Sequence, residues 1–355
     1  MTSAMADFKA LQQEFNRRGW CRKPAARVLL ELALDLLLAL GGIALFIASH
    51  SIWVRAAAML VSTVGSIAVG TNAHTSSHYA ASSKKWVNEL MTYFGYPFFL
   101  GLSATYWWHK HLVVHHPAPN VIGVDEDADL SPWFARTNEQ VHLSRGWRGV
   151  YYRNLQWLVL PLVLSVHVFG MQWTGIAHIV RGLRAKRGHT KYLIDVVCLL
   201  LHYATCLILP LYFFSFYQVA AFYVLRIALL GYALFAVVGP GHLPVEASCV
   251  YETGGPDNYL LLQTAATLNF RTGPIGSLMC SGMQYQIEHH LLPGISHVYY
   301  PAISPFVGAF CREHGLPYRT YRWEVAIWKS LAMFRRPPQT VSVANAQAVG
   351  DPGGR

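Results

Sequence analysis

Two stretches of this chain, Ala56 to Ala73 and Leu155 to Val180, contain no Asp, Glu, Lys or Arg. No other feature narrows the possible folds as far. A run of about 20 apolar residues is what a helix needs to cross a bilayer. The alternative is burial inside a large soluble core, and composition decides between the two. Only 13% of the 355 residues are charged and 53% are hydrophobic, with a mean hydropathy of +0.28. A soluble domain carries about 25% charged residues. Disorder, a collagen-like repeat and a coiled coil are excluded, and the chain reads as a membrane protein.

The net charge of +10 comes from 28 Lys and Arg against 18 Asp and Glu. Short cytoplasmic segments beside membrane spans collect Lys and Arg, which accounts for the excess without a nucleic-acid partner. Six scattered Cys form no Cys-x-x-Cys pair, which fits a reducing compartment rather than a disulfide framework or zinc knuckles. The first 27 residues are too charged for a secretory signal. Phe8, Leu11 and Phe15 sit at helical spacing, predicting an amphipathic helix on the membrane surface over Thr2 to Arg17.

Four stretches read as spans: Val28 to Ser49, Ala56 to Ala73, Leu193 to Ser215 and Val219 to Val238. They form two hairpins. The last contains Arg226, which must face protein or water. Leu155 to Val180 is flanked by Arg145, Arg148 and Arg153 on one side and by Arg181, Arg184, Lys186, Arg187 and Lys191 on the other. Basic flanks at both ends place both on the cytoplasmic side, so this stretch reads as interfacial or re-entrant. Tyr93 to Trp108, interrupted by Gly95, Pro97 and Gly101, reads the same way. The expected fold is all-α: a four-span polytopic protein with interfacial helices and a cytoplasmic helical cap. Its segments are an N-terminal piece (1–27), a membrane domain (28–325) and a tail (326–355) disordered at its end. Both termini face the cytoplasm.

The unusual count is 17 His. Seven of them fall in three tight clusters: His74-Thr-Ser-Ser-His78, His111-Leu-Val-Val-His115-His116 and Gln286-Ile-Glu-His289-His290. All three clusters fall on the predicted cytoplasmic face, although none was used to draw the spans. Residues i and i+4 share one face of a helix, so His74/His78 and His111/His115 can each aim two imidazoles at one point. Neutral imidazole binds iron, zinc, copper or nickel. A zincin motif needs Glu after the first His, and Thr75 stands there. More ligands than one zinc can use suggest two metals, with two oxygen-activating iron ions the natural candidate. His50, His142, His167, His178, His189, His202 and His314 stand alone and read as packing or surface groups. The acidic run Asp125, Glu126, Asp127, Asp129 fails as a calcium loop, because Leu130 replaces the required Gly and Arg136 the closing Glu. No P-loop, dinucleotide fingerprint or G-x-S-x-G occurs.

The boxes HTSSH, HLVVHH and QIEHH resemble the three histidine boxes of the integral-membrane fatty acid desaturase superfamily. Tyr285 to Gly294 and the later Glu313 to Tyr318 resemble its front-end acyl-lipid and acyl-CoA members, as does the second-box region from Trp107 through Asn120 to Asp129. The similarity covers roughly residues 28–325. It implies a di-iron centre with His74, His78, His111, His115, His116, His289 and His290 as ligands. His242, in Gly-Pro-Gly-His, stands where relatives supply a further ligand. Gln286 matches the variant third-box position, which implies a ligand or a hydrogen-bond partner of one; Asp125, Asp127 and Asp129 read as supports of the ligands or as loop-folding groups, and His297 lies close behind the third box.

The resemblance further implies an oxygen-dependent acyl desaturase. Its substrate is a fatty acyl chain on lipid, CoA or carrier protein, held in an apolar tunnel. Tyr93–Phe99 and Tyr212–Phe222 are the aromatic stretches available to line one. Many relatives carry Asp where Thr75 stands. No His-Pro-Gly-Gly haem motif occurs, so electrons are expected from a separate ferredoxin or cytochrome b5, for which Arg181 to Lys191 offers a basic docking surface. The alternatives are a di-iron hydroxylase, acetylenase or carotenoid-modifying oxygenase, and a non-enzymatic metal or haem binder or transporter.

Overall fold

A computed structural model describes residues 2–185, 189–247 and 259–340. Helix α1 (Thr2–Arg17) precedes a hairpin of α2 (Ala25–Ala48) and α3 (Ile52–Ser77). Two glycines let this pair close. A Cβ on Gly65 would lie 2.3 Å from the Ala39 backbone nitrogen, and one on Gly42 would lie 2.6 Å from the Ala58 carbonyl oxygen. Small residues at such contacts are how helices approach each other in lipid, where burying apolar surface gains nothing.

Helix α4 (Lys85–Tyr93) runs into a π-helical turn at Phe94–Leu100, and α5 (Ala104–Trp107) into a second at Trp108–His115. Between them Gly101 takes φ +72°, a left-handed conformation that glycine adopts without strain. Three buried groups fix this break. Gln172 donates to the Leu100 carbonyl and Arg226 to the Phe99 carbonyl. Asp195 accepts from the backbone nitrogens of Ala104 and Thr105 at the start of α5. That contact is the role of the intramembrane arginine: it faces protein.

Helices α6 (Asn138–Leu143) and α7 (Gly146–Asn154) lead into α8 (Gln156–Arg184). Helix α9 (His189–Tyr203) extends through further helical turns to Tyr212, and α10 (Phe216–His242) returns. A capping box of Ser215 and Gln218 starts α10. The remaining elements are α11 (Tyr259–Ala265), α12 (Pro274–Cys280), α13 (Gln286–Leu291), α14 (Tyr300–Glu313) and α15 (Trp323–Met333). Strands β1 (Asn269–Arg271) and β2 (Thr320–Arg322) pair in parallel with Phe270 opposite Tyr321. The main core lies between the hairpins and includes Ile67, Phe99, Val168, Ile227, Leu230 and Met279.

Among the described residues, five helices rather than four are long and apolar enough to cross a membrane: α2, α3, α8, α9 with its extension to Tyr212, and α10. The stretch expected to be interfacial or re-entrant is one unbroken helix, α8, which removes the re-entrant alternative. Flanking charges report where its ends lie and say nothing about continuity between them. Five helices of this length and composition fit an integral membrane protein.

Helix α1 also departs from expectation. Its apolar face is covered by protein, with Phe8 and Phe15 buried. They pack on Ile303, Val307 and Phe310 of α14, and the Phe8 and Phe310 rings stand 5.5 Å apart. Helical spacing reveals an apolar face but not what covers it. The expected boundary at residue 326 falls inside α15, which Trp323 ties to α10 through the Ala236 carbonyl. The end of the tail, 341–355, lies outside the described residues, as do Lys186, Arg187 and Cys249.

Candidate metal centre

The chain leaves α3 at His74 and His78, passes the π-helical turn bearing His111 and His115, and returns at His242 and at His289 and His290 of α13. All eight expected ligands converge. Their ring nitrogens form three overlapping groups within 4.8 Å: His74, His78, His111 and His289; His115, His242 and His290; and His116, His289 and His290. His74 and His111 Nε2 lie 2.8 Å apart, and His111 and His116 Nε2 3.2 Å apart. The His116 and His290 ring centroids are separated by 4.5 Å, those of His115 and His242 by 4.8 Å.

The second box departs from the spacing argument. His111 and His115 do not aim at one point; they belong to different groups. Trp108–His115 winds as a π-helix, whose wider turn brings i and i+5 together. His111 therefore meets His116, and His115 turns to His242 and His290. His74 and His78, on a regular α-helix, do share a group as expected.

These rings are buried apart from partly exposed His78 and His116. Burial pushes His111, His116, His289 and His290 well below the ordinary imidazole range, and the neighbouring histidines push the same way. Each is therefore neutral at pH 7, the form that donates to a metal. Four ring nitrogens, His78 Nε2, His242 Nδ1, His289 Nε2 and His290 Nε2, are buried without a partner. Burying a polar atom unpaired is costly, and metal ions held by their groups would satisfy them. An all-imidazole donor set suits iron, copper, nickel or zinc.

The outer nitrogens are braced. Asp125 Oδ2 lies 2.9 Å from His115 Nδ1 and accepts from the Asn120 backbone nitrogen. Burial raises the Asp125 carboxyl, but the bond and charge of His115 outweigh it and hold the acid below its usual range. Gln263 Oε1 lies 3.0 Å from His290 Nδ1, and its amide donates to the His116 carbonyl. Tyr300 OH lies 3.3 Å from His289 Nδ1. Such partners fix the tautomer and ring orientation of a ligand.

Of the other residues singled out, Gln286 is fully buried beside Gly241, its amide atoms unpaired. Asp127 pairs with Lys110 at 2.7 Å, within reach of His115. Asp129 accepts from Ser131 and Gln140 and only shapes the loop. His297 bonds Thr75 and Glu31 and joins none of the groups. His178 stacks near His109, away from them.

Besides Gln263 and Tyr300, three further supports are not legible in the sequence. Asn120 and Arg136 both donate to the His242 carbonyl, locking α10 to the second box. Glu288, inside the third box, turns away from the histidines: Asn269 and Tyr318 donate to its carboxylate. Its position between Ile287 and His289 was the available signal. Far from the histidines, toward the Ser49–Ser51 end of α2 and α3, a cavity of about 840 Å³ is lined by both aromatic stretches noted above, including Phe94, Phe98, Phe213, Phe214 and Phe222.

An apolar helical bundle closed at one end by eight histidines has the side chains to hold metal ions. The chain belongs to the fatty acid desaturase family, whose model matches residues 50–322. It is similar to a Delta(5) fatty acid desaturase of Caenorhabditis elegans, with 29% identity over 74% of this chain and 59% of the relative. An sn-1 linoleoyl-lipid 6-desaturase of Arthrospira platensis is 27% identical over 76% of this chain and 74% of its own length. A Delta(8)-fatty-acid desaturase of Euglena gracilis is 28% identical over 73% and 62%. The chain thus spans less than two thirds of the first and third of these relatives.

Proposed function

We propose that the protein is an oxygen-dependent fatty acyl desaturase with two irons held by His74, His78, His111, His115, His116, His242, His289 and His290. The observation that carries this reading is the convergence of these eight histidines into overlapping groups at one end of an apolar bundle. When bound, the irons supply oxygen activation and removal of hydrogen from an unactivated methylene. The chain's own part is to bury most of the rings and to hold the tautomers of His115, His290 and His289 through Asp125, Gln263 and Tyr300. The substrate is a fatty acyl chain carried on lipid, CoA or carrier protein, with the aromatic cavity as a seat for acyl chain remote from the irons. The relatives' names support an acyl substrate. A separate ferredoxin or cytochrome b5 type protein supplies the electrons.

Four spans with the histidines on the cytoplasmic side complete the proposal. His115 and His242 share a group, so an even number of α8, α9 and α10 crosses between them. Helix α8 carries basic residues at both flanks and is the one we assign to lie along the membrane; α9 and α10 form the second hairpin. The test is mass spectrometry of lipids from cells expressing the chain with a matching donor. An acyl species lighter by two hydrogens is expected. One heavier by an oxygen would replace this reading with hydroxylation.

A further inference from the structure

We infer that Glu31, His297 and Thr75 form a proton-entry path to the histidine centre, an inference that rests on the desaturase reading. The balance of that reaction sets the need. A –CH2–CH2– pair, O2, two electrons from the donor protein and two protons give –CH=CH– and two waters. The acyl chain is oxidised, O2 is reduced, and two protons must reach a buried site from outside. The ligand imidazoles cannot carry them, since a nitrogen committed to a metal has no lone pair left to offer.

The other polar side chains beside the site stop short of the surface or are committed elsewhere. Asp125 is buried and tied to His115. Gln263 is buried and spans His290 and the His116 carbonyl. Glu288 is fully buried under Tyr318 and Asn269. Asp127 is 49% exposed, but it is paired with Lys110 and faces His115, a ligand. The Glu31 chain differs because it starts at a partly exposed carboxylate and leads inward through groups that are not ligands. Its side chain is 31% exposed beside Arg27, itself 65% exposed. Glu31 Oε2 lies 2.9 Å from His297 Nε2, and His297 Nδ1 lies 2.7 Å from Thr75 Oγ1. An imidazole bonded at both nitrogens can take a proton at one and release it at the other.

Beyond Thr75 the path reaches the ligands. A cavity of about 10 Å³ is lined by His74, Thr75, His78, His289, His297 and Tyr300, among others. One water needs about 10–15 Å³ of such space and two or more polar partners, and this lining provides both. The path thus runs from a half-exposed carboxylate through an imidazole and a hydroxyl to a water-sized space touching three ligands.

The test compares Thr75→Val, Thr75→Ser, His297→Gln and Glu31→Gln with wild type in isolated membranes carrying the full chain, acyl substrate and a reduced donor protein. Bound iron and double bonds formed per electron delivered are both measured. Thr75→Val and His297→Gln are expected to keep wild-type iron while turnover falls about 10²-fold, with fewer double bonds per electron. Thr75→Ser, which keeps the hydroxyl, is expected to retain most turnover. Wild-type turnover in Thr75→Val and His297→Gln would overturn the path alone. So would parallel loss of iron and turnover with Thr75→Ser no better than Thr75→Val, which would mark a structural role. No product from iron-loaded wild type would overturn the desaturase reading and this inference with it.

Discussion

The two principal histidine groups meet at one place but are held in different ways. In the His115, His242 and His290 group, two rings are pinned from behind by fixed oxygens, Asp125 at 2.9 Å and Gln263 at 3.0 Å. In the His74, His78, His111 and His289 group the one such bond among the described residues is the longer contact from His289 to Tyr300, at 3.3 Å. Ring packing holds the rest: Trp107 stacks on His111 with centroids 4.6 Å apart, and His74 and His78 stand 4.8 Å apart on one helix. The first group depends on a few bonds that single substitutions can remove. The second depends on a helix face and will resist them.

The largest effect should come from His289, which belongs to two of the overlapping groups. His289→Ala should abolish turnover and lower bound iron, leaving the protein in the membrane. His178→Ala, outside the groups, should do neither. Equal losses in both variants would argue against the ligand assignment. Next in size is Asp125→Ala. Removing the partner of a ligating histidine typically costs 10–100-fold in metal affinity or activity. About that loss is expected here, confined to the group containing His115 and visible as partial iron content in dialysed protein. Gln263→Leu should act on the same group near the tenfold end of that range. Tyr300→Phe should be mildest. Its long bond contributes at most about 1 kcal/mol, so iron affinity should change by less than about fivefold. A Tyr300→Phe loss matching that of Asp125→Ala would erase the proposed difference between the groups.

Much of this was legible because it is local. The three boxes announce themselves by spacing within single elements, and the apolar stretches by length and lack of charge. His242 was readable only through resemblance, since nothing in Gly-Pro-Gly-His distinguishes a ligand from a loop histidine. The division of the second box does not follow from its spacing, because the backbone takes a π-turn where an i, i+4 pattern implies an α-helix. Asn120, Arg136 and Gln263 could not be found at all. Their partners lie far away in sequence, at separations of 122, 106 and 27 residues, and only the tertiary return of α10 and α13 brings them together. The burial of α1 on α14 was hidden for the same reason.

The measurement that tests the account most directly is the metal content of purified wild-type protein alongside Asp125→Ala, by elemental analysis after dialysis. The account predicts two irons per chain in wild type, and preferential loss of one of them in the variant. One metal per chain in wild type, zinc in place of iron, or equal loss of both irons in the variant would contradict it.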